Sequence, residues 1–479
     1  MSRRDDTGGR RTPPRPTRLL SLLVASALLA SGCGARWDHD QKEAVAARYA
    51  AGGGVGGGAQ TASGEEVTSD ADAGAATASG DQSTASGAPA ATGAGTGSSG
   101  ASGATAPSSK PCAAKSSAPG VTDDQLTIGS ISSLSGPVPG IGASAAAAAR
   151  AYVAYLNSTG GVCGRKIVLK EADDGTDNGR HRAVVTELGP QVLGLAGGFG
   201  AGDVGAVDVL RQQKIPVVGL PSGQAVADLP NVFDINPKFR DEHAVIGKYR
   251  YLKEHGANTV AVVYLAIEQS RAEARTQRNL MEAAGIKVVL QQELPIQTLS
   301  FDSTARKVAN SKADYLFFIG DTNSNASMAR AMADTGYKLK VFELFTLIYG
   351  TSFVQRAGAA SEGVVTWLRS LPNEEASSNA ALATFNEWMG RVAPSSARDP
   401  FAVDSWSSAK ALFDALASLP GPITRDALIA QLAKVGTYDA GGLYGPIELG
   451  HEVTKGCEVA MTVSGGKWKR LAPAKGFIC

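Results

Sequence analysis

From Leu126 onward, apolar strand-like runs alternate with amphipathic helical stretches, and this alternation limits the possible fold more than any other feature of the chain. The strand candidates are LTIGSIS, KIVLKEA, VLGLAGGF, IPVVGL, TVAVVYL, KVVLQQEL, YLFFIG, KVFELF and EGVVTW. Between them lie AAAAARAYVAYLNS, AVDVLRQQ, DEHAVIGKYRYLKEHG, ARTQRNLMEAAG, STARKVANS and ASMARAMADTG. Strand and helix in near-regular alternation predict an α/β fold, a mostly parallel sheet with helices on both faces. The units are too many for one small sheet, so two lobes are expected. One join is placed at Asp234-Ile235-Asn236-Pro237 and another near Leu368 to Pro372. Phe401 to Gly436 reads as helical, and no internal repeat of fixed period is visible.

The start of the chain has a different character. Arg3, Arg4, Arg10, Arg11, Arg15 and Arg18 precede an apolar run from Leu19 to Leu29, then Ala30-Ser31-Gly32-Cys33. A basic start, a short apolar core and small residues at a cleavage point predict an export signal over residues 1–32. The run is too short to span a bilayer. LLASGCG resembles the bacterial lipobox, in which the cysteine is lipidated and becomes the new N-terminus, although Ala30 stands where that pattern usually has Leu. Lipidation of Cys33 is therefore expected, with an ordinary secretory peptide cut elsewhere as the alternative. Ser2-Arg3-Arg4 is a weak twin-arginine signal, because Asp5 and Asp6 follow it. Residues 33–118 read as a tether, dominated from Ala50 by Gly, Ala, Ser and Thr. Such a composition buries too little apolar surface to offset its ordering entropy. Random-coil statistics give it an end-to-end distance of about 50 Å. With 46 Lys and Arg against 45 Asp and Glu, the charge balance gives no sign of nucleic-acid binding.

Setting Cys33 aside leaves Cys112, Cys163, Cys457 and Cys479, an even number in a chain with an export signal. Cys112 lies just ahead of the first strand and Cys163 just ahead of the second. Cys457 and Cys479 flank EVAMTVSGGKWKRL, which reads as a hairpin turning at Ser464-Gly465-Gly466. The preferred pairings are Cys112–Cys163 and Cys457–Cys479, with other pairings or free buried thiols as alternatives. No close Cys or His pair has zinc-ligand spacing, so no metal site is expected.

Gly200-Ala-Gly202-Asp-Val-Gly205 is a literal GxGxxG between a strand and a helix. The acidic ribose partner expected further on is missing, and the pattern follows the third strand of its lobe instead of the first. In Gly140-Ile-Gly142-Ala-Ser-Ala145 the glycines come too late after the strand. With 57 glycines in the chain, chance matches are expected, and no cofactor is inferred. Neither a GxSxG elbow nor HExxH occurs, and His39, His181, His243, His255 and His451 stand in polar contexts expected to be exposed, so no catalytic residue is assigned. What remains are loops of Gly and small hydroxyl residues at strand ends: Ser132 to Gly136, Phe199 to Gly202 and Pro221 to Gln224. Backbone N–H groups and hydroxyls there suit a carboxylate or similar group in a cleft, although tight turns are the plainer explanation. From the second lobe, Tyr264 to Gln269, Gly320 to Asn323 and Phe345 to Tyr349 would face them.

These residues resemble the bacterial type 1 solute-binding proteins of ABC transporters, specifically the branched-chain amino-acid (Leu/Ile/Val)-binding family. The resemblance runs from about Leu126 to Gly450, through SLSGP, LNSTGGVCGRKIVLKEADDGTD, IPVVGLPSG and FDSTARKVANSKADYLFFIGD in the family order. It implies a two-lobed clamshell, with lobe one at 119–237 and 370–437 and lobe two at 238–369 and 438–479. Ligand would bind in the cleft and be handed to ABC permease membrane subunits, with no bond broken. A monomer outside the cytoplasm is expected, held to the outer face of the cell membrane by the lipid on Cys33 that the lipobox-like segment implies. Candidate ligand-binding residues are Ser133, Ser135, Phe199, Gly200, Ala201, Ser222, Gly223, Gln224, Glu268, Gln269, Asp321 and Phe345. The chain departs from the family at the third-strand loop, where Gly200 and Ala201 offer only backbone N–H groups. It departs again in lobe two, where Gln269-Ser270, Asp321 and Phe345 stand at about the positions of a Tyr-Gly turn, a tyrosine and a glutamate. Asp321 or Glu268 would meet an ammonium group, with a helix-capping aspartate as the equal alternative for Asp321. Asp173 and Asp174 also match the family pattern and are read as structural. An amino acid is the leading ligand. The competing readings are an extracytoplasmic sensor of the same fold and, third, a nicotinamide-dependent oxidoreductase.

Overall fold

The structure is a computed structural model that describes residues 118–136, 142–235, 246–449 and 456–479. The export segment, the tether, Cys33 and Cys112 lie outside the described residues.

The first sheet consists of β1 (Gln125–Ser132), β2 (Lys166–Asp173), β3 (Leu195–Ala196), β4 (Val217–Gly219) and β5 (Val232–Asp234). All its pairings are parallel, in the order β2-β1-β3-β4-β5. Helices α1 (Ala143–Ser158), α2 (Asn178–Leu188), α3 (Val207–Gln213) and α4 (Gln224–Ala227) connect these strands. The second sheet is built from β6 (Thr259–Leu265), β7 (Lys287–Leu294), β8 (Tyr315–Ile319), β9 (Val341–Leu344) and β10 (Val365–Leu368). Its helices are α5 (Ile246–Glu254), α6 (Glu268–Ala283), α7 (Asp302–Ser311), α8 (Thr322–Asp334) and α9 (Thr351–Ala357). The chain then forms α10 (Ala380–Val392), α11 (Pro400–Ala417), α12 (Arg425–Leu432) and the short ribbon β11 (Thr437–Tyr438) with β12 (Ile447–Glu448). It ends in the hairpin β13 (Val459–Ser464) and β14 (Lys467–Ala472), antiparallel additions to the second sheet, whose order is β14-β13-β10-β9-β8-β6-β7. Two lobes, each a mostly parallel sheet with helices on both faces, are therefore present.

Period-two patterning explains how each sheet is covered. In β6, Val260, Val262 and Tyr264 pack on one face with Leu252, Met281 and Phe317, while Ala261, Val263 and Leu265 pack on the other with Phe301, Phe318 and Met328. A strand buried on both faces must be apolar throughout, which is what TVAVVYL and YLFFI provide. In the first lobe α1, α10, α11 and α12 cover one face through Tyr152, Phe385, Trp406, Phe413 and Leu428, and α2 and α3 cover the other through Val185, Val209 and Leu210. Arg425 at the start of α12 ties this layer down by donating to the carbonyls of Leu193 (3.2 Å), Gln213 (2.9 Å) and Val192 (2.7 Å).

Three features differ from the sequence reading. The third strand stops after Ala196, because Gly197 turns with φ +60° and a Cβ on Gly198 would lie 2.5 Å from the Ile131 carbonyl oxygen. His181 is buried, not exposed, and bonds to Asp174. Ala440, Leu443, Tyr444, Ile447 and Leu449 lie in the first lobe's core, so the chain packs there until about residue 449, beyond the expected change at 437. The hairpin turns at Gly465 (φ +62°) and Gly466 (φ +70°), the left-handed pair a tight two-residue turn requires.

Candidate functional site

In the first lobe the candidate hydroxyls are already engaged. Asp174, fully buried at the end of β2, accepts the Ser133 hydroxyl at 2.6 Å and the Thr176 N–H at 2.9 Å on one oxygen. Its other oxygen meets the Gly202 N–H at 3.1 Å and the His181 ring at 2.8 Å. Burial pushes this carboxyl up, but the bonds from His181 and Ser133 outweigh it and hold Asp174 below the usual range. Ser133 in turn accepts the Ala201 N–H at 2.9 Å. Ser135 bonds to Asp173 through its hydroxyl, and the amides of Leu134 and Gly175 each donate to Asp173 at 2.9 Å. Against the opposing effect of burial, this cradle brings Asp173 down to about 2. Ser222 donates its N–H (2.9 Å) and its hydroxyl to Asp203, whose carboxyl burial nevertheless drives up to about 6. Gln224 bonds Asp228 at 2.7 Å on the surface, and Gly223 stands at the N-cap of the four-residue α4.

The GxGxxG glycines serve packing. A Cβ on Gly202 would lie 2.5 Å from the Asp177 carbonyl oxygen, and one on Gly205 would lie 2.0 Å from that of Asn178, so the start of α2 occupies the place a phosphate would need. Gly200 is pressed against Asp174 and His181 in the same way.

An open space lies instead between the second sheet and the start of α11. One end, about 590 Å³, is lined by Leu265, Ile267, Ile296, Ile319, Gln269 and Asp321. These include the last residues of β6 and β8, the strands between which the order reverses in β9-β8-β6-β7, the usual ligand position in open α/β sheets. The other end, about 660 Å³, is walled by Lys248, Glu273, Glu343, Trp367, Arg369 and Glu458 among others. Glu273, Phe345, Leu347 and Phe401 border both ends, making one continuous cleft. Asp399 caps α11 by accepting the Ala402 N–H (3.0 Å) and takes the Ser144 hydroxyl of α1 at 2.7 Å. That fixes the first turn of α11, where Phe401 stacks on Phe199 at 4.5 Å between ring centres. Phe199 is thus the buried backing of the cleft wall.

The predicted residues divide accordingly. Gln269, Asp321 and Phe345 line the cleft, and Phe199 supports it. Glu268 begins α6. Ser133, Ser135 and Ser222 are bound to neighbouring carboxylates, and Gly200 borders a separate space within the first lobe of about 510 Å³. Ala201 has its N–H on Ser133. Asp321 caps α8, accepting the N–H groups of Asn323 (2.9 Å) and Ser324 (3.1 Å), while also lining the cleft. Sequence reading missed Phe401, Glu273, Lys248, Glu343 and Glu458. The one available signal was Glu343, a charge inside the apolar run VFELF. Its carboxylate is buried, paired with Lys248 at 2.6 Å and with the Tyr315 hydroxyl at 2.5 Å.

With this geometry in place, residues 125–467 match the periplasmic binding protein family. The chain belongs to that family. Among its relatives, the Leu/Ile/Val-binding protein homolog 7 of Brucella melitensis is 27% identical over 231 residues, covering 44% of this chain and 56% of that protein. The Leu/Ile/Val-binding protein BraC3 of Rhizobium johnstonii is 25% identical over 222 residues, 44% and 58% of the respective chains. This periplasmic binding protein thus spans little more than half the length of the relatives it matches. A fatty acid ABC transporter substrate-binding protein from Thermomonospora curvata shares its fold with TM-score 0.63 and 20% identity, over 74% of this chain and 93% of the other. A branched-chain amino acid transporter substrate-binding protein from Streptococcus pneumoniae, solved with isoleucine, gives TM-score 0.59 and 18% identity over 73% and 100%. At these identities the structural likeness establishes the fold, the type 1 two-lobed periplasmic-binding arrangement.

Proposed function

We propose that this periplasmic binding protein is the extracytoplasmic capture component of an ABC importer, holding a small solute between its lobes and delivering it to a membrane permease. The observation that carries the reading is the continuous cleft at the strand-order reversal of the second sheet, walled by Leu265, Ile267, Ile296, Ile319, Phe345 and Phe401 with polar groups at both ends. A concave, mostly apolar site with a few convergent polar groups is what small-molecule recognition requires. The ligand we favour is an amino acid with an apolar side chain, in keeping with what the Brucella and Streptococcus proteins are named for. A fatty acid is the second reading, supported by the apolar wall and by what the Thermomonospora protein is named for. The candidate contacts are Gln269, Asp321 and Phe345. Lipidated Cys33, the tether of residues 33–118 and disulfides Cys112–Cys163 and Cys457–Cys479 suit a monomer held on the outer face of the cell membrane.

Thermal unfolding of the purified protein against leucine, isoleucine, valine, dodecanoate, glucose and NAD tests the reading. A ligand at about 100 times its dissociation constant adds about 2.7 kcal/mol and raises Tm by several degrees. Stabilisation by NAD alone, or by no solute in a wider panel, would refute it.

A further inference from the structure

Among the described residues, the end of the cleft walled by Lys248 and Trp367 carries more carboxylates than cations. Glu273, Glu343, Asp404 and Glu458 line it together with Lys248 and Arg369. Lys248 and Glu343 are satisfied by each other at 2.6 Å and by the Tyr315 hydroxyl. Of the others, Glu273 accepts the Gln277 amide at 2.8 Å, Asp404 accepts the Tyr444 hydroxyl at 2.6 Å, and Arg369 and Glu458 form a loose pair 3.8 Å apart. One further observation separates this group from an ordinary acidic cluster. Glu458 is 7% exposed, yet its Oε2 has no hydrogen-bond partner among the described residues. Two other atoms on the same wall share that condition, the Trp367 indole N–H and the Thr346 hydroxyl. Buried polar atoms are almost always paired in folded proteins, so an unpaired carboxylate oxygen and unpaired donors on residues that line one cleft mark places for a ligand's own polar groups.

We propose that this end of the cleft is an ammonium-recognising subsite, with Glu458, Glu273 and Asp404 receiving a positively charged head group while the ligand's apolar part lies toward Leu265, Ile267 and Ile319. The inference deepens the solute-binding reading and rests on it. It moves head-group recognition away from the first-lobe loops, whose hydroxyls are held by Asp173, Asp174 and Asp203. A lone carboxylate, as on a fatty acid, would face Glu273, Asp404 and Glu458, with Arg369, the Trp367 N–H and the Thr346 hydroxyl to receive it among the described residues. An ammonium meets the excess of negative charge directly.

The test is calorimetric titration of the intact protein with three probes of similar branched tail: L-leucine, 3-methylbutylamine and 4-methylpentanoate. Leucine or the amine should bind at least tenfold more tightly than the carboxylate-only probe. Glu458→Gln, which keeps the shape and removes the charge, should weaken that binding at least tenfold, while Asp228→Asn on the surface leaves it unchanged. Equal or tighter binding of 4-methylpentanoate overturns the subsite, as does leucine binding that survives Glu458→Gln. The probe series on the unaltered protein decides the matter if the variant does not fold. Binding of dodecanoate with none of the three probes removes the subsite and leaves the solute-binding reading intact. Binding of no solute at all removes both.

Discussion

Replacing Lys248 by Met should destabilise the second lobe far more than a surface substitution would. The ammonium sits among Tyr249, Phe317 and Trp367, 5.2 to 5.5 Å from their ring centres, and pairs at 2.6 Å with Glu343, of which 3% is exposed. Met keeps most of the aliphatic stem and deletes the charge, leaving Glu343 with the Tyr315 hydroxyl as its remaining partner among these contacts. Removing one member of a buried ion pair costs about 3–5 kcal/mol, because the surviving charge loses its compensation. For a fold of this size that is a fall in Tm of roughly 4–7 °C. The loss should depend on pH. Burial already lifts the Glu343 carboxyl above its ordinary value of 4.5, against the pull of Lys248. A carboxyl raised in the folded state stabilises fully below its unfolded value, and that contribution disappears as pH rises through the folded value. Without Lys248 the folded value rises further, so the penalty should be larger at pH 8 than at pH 5. Urea unfolding at the two pH values measures it. A loss below about 1 kcal/mol, or one equal at both pH values, would refute this account of the pair.

Other outcomes follow from the same contacts. Asp203→Asn should flatten the pH profile: a buried carboxyl raised from 3.8 to about 6 gives stability below pH 4 that is lost as pH rises through 6, roughly 3 kcal/mol, visible as converging urea midpoints of variant and parent in acid. Gly200→Ala should cost about 1–3 kcal/mol, because its Cβ would lie 2.7 Å from Asp174 Oδ2, and the shift should appear in the denaturation midpoint. Asp321→Ala should lose about 1 kcal/mol of helix capping, whereas Asp321→Asn should retain the cap, so any change in ligand affinity in the Asn variant reports on the cleft alone. Reduction of Cys457–Cys479, 22 residues apart in sequence, should lower stability by roughly 3 kcal/mol in a thermal scan with and without reductant.

The strands and their order of appearance were legible because a doubly covered strand must be apolar on both faces, and TVAVVYL or YLFFI can hardly be anything else. The terminal hairpin was legible for an equally local reason, the glycine pair at its turn. The site was legible only where one strand end supplies it. Asp321 and Phe345 follow β8 and β9 directly, and both reach the cleft. A hydroxyl beside a glycine, however, looks the same whether it meets a ligand or a carboxylate from another segment. Ser133 meets Asp174 and Ser222 meets Asp203, pairings that sequence alone does not display. Phe401 was hidden for another reason: it enters the cleft because α11 covers the first sheet and presents its first turn to the second lobe, an arrangement set by tertiary packing across distant segments.

The interleaving of the two lobes along the chain also fixes when each of them can form. The first sheet is finished at Asp234, but Phe385, Trp406 and Phe413, which cover one of its faces, arrive only after the whole parallel part of the second sheet. The second sheet likewise waits for β13 and β14, because Val459, Met461 and Trp468 complete its core. During synthesis neither lobe closes on its own local contacts. An emerging chain must keep Ile128, Phe233 and Phe318 from premature association until its last strands are available, the circumstance in which chains with distant pairings fold slowly and are most exposed to aggregation.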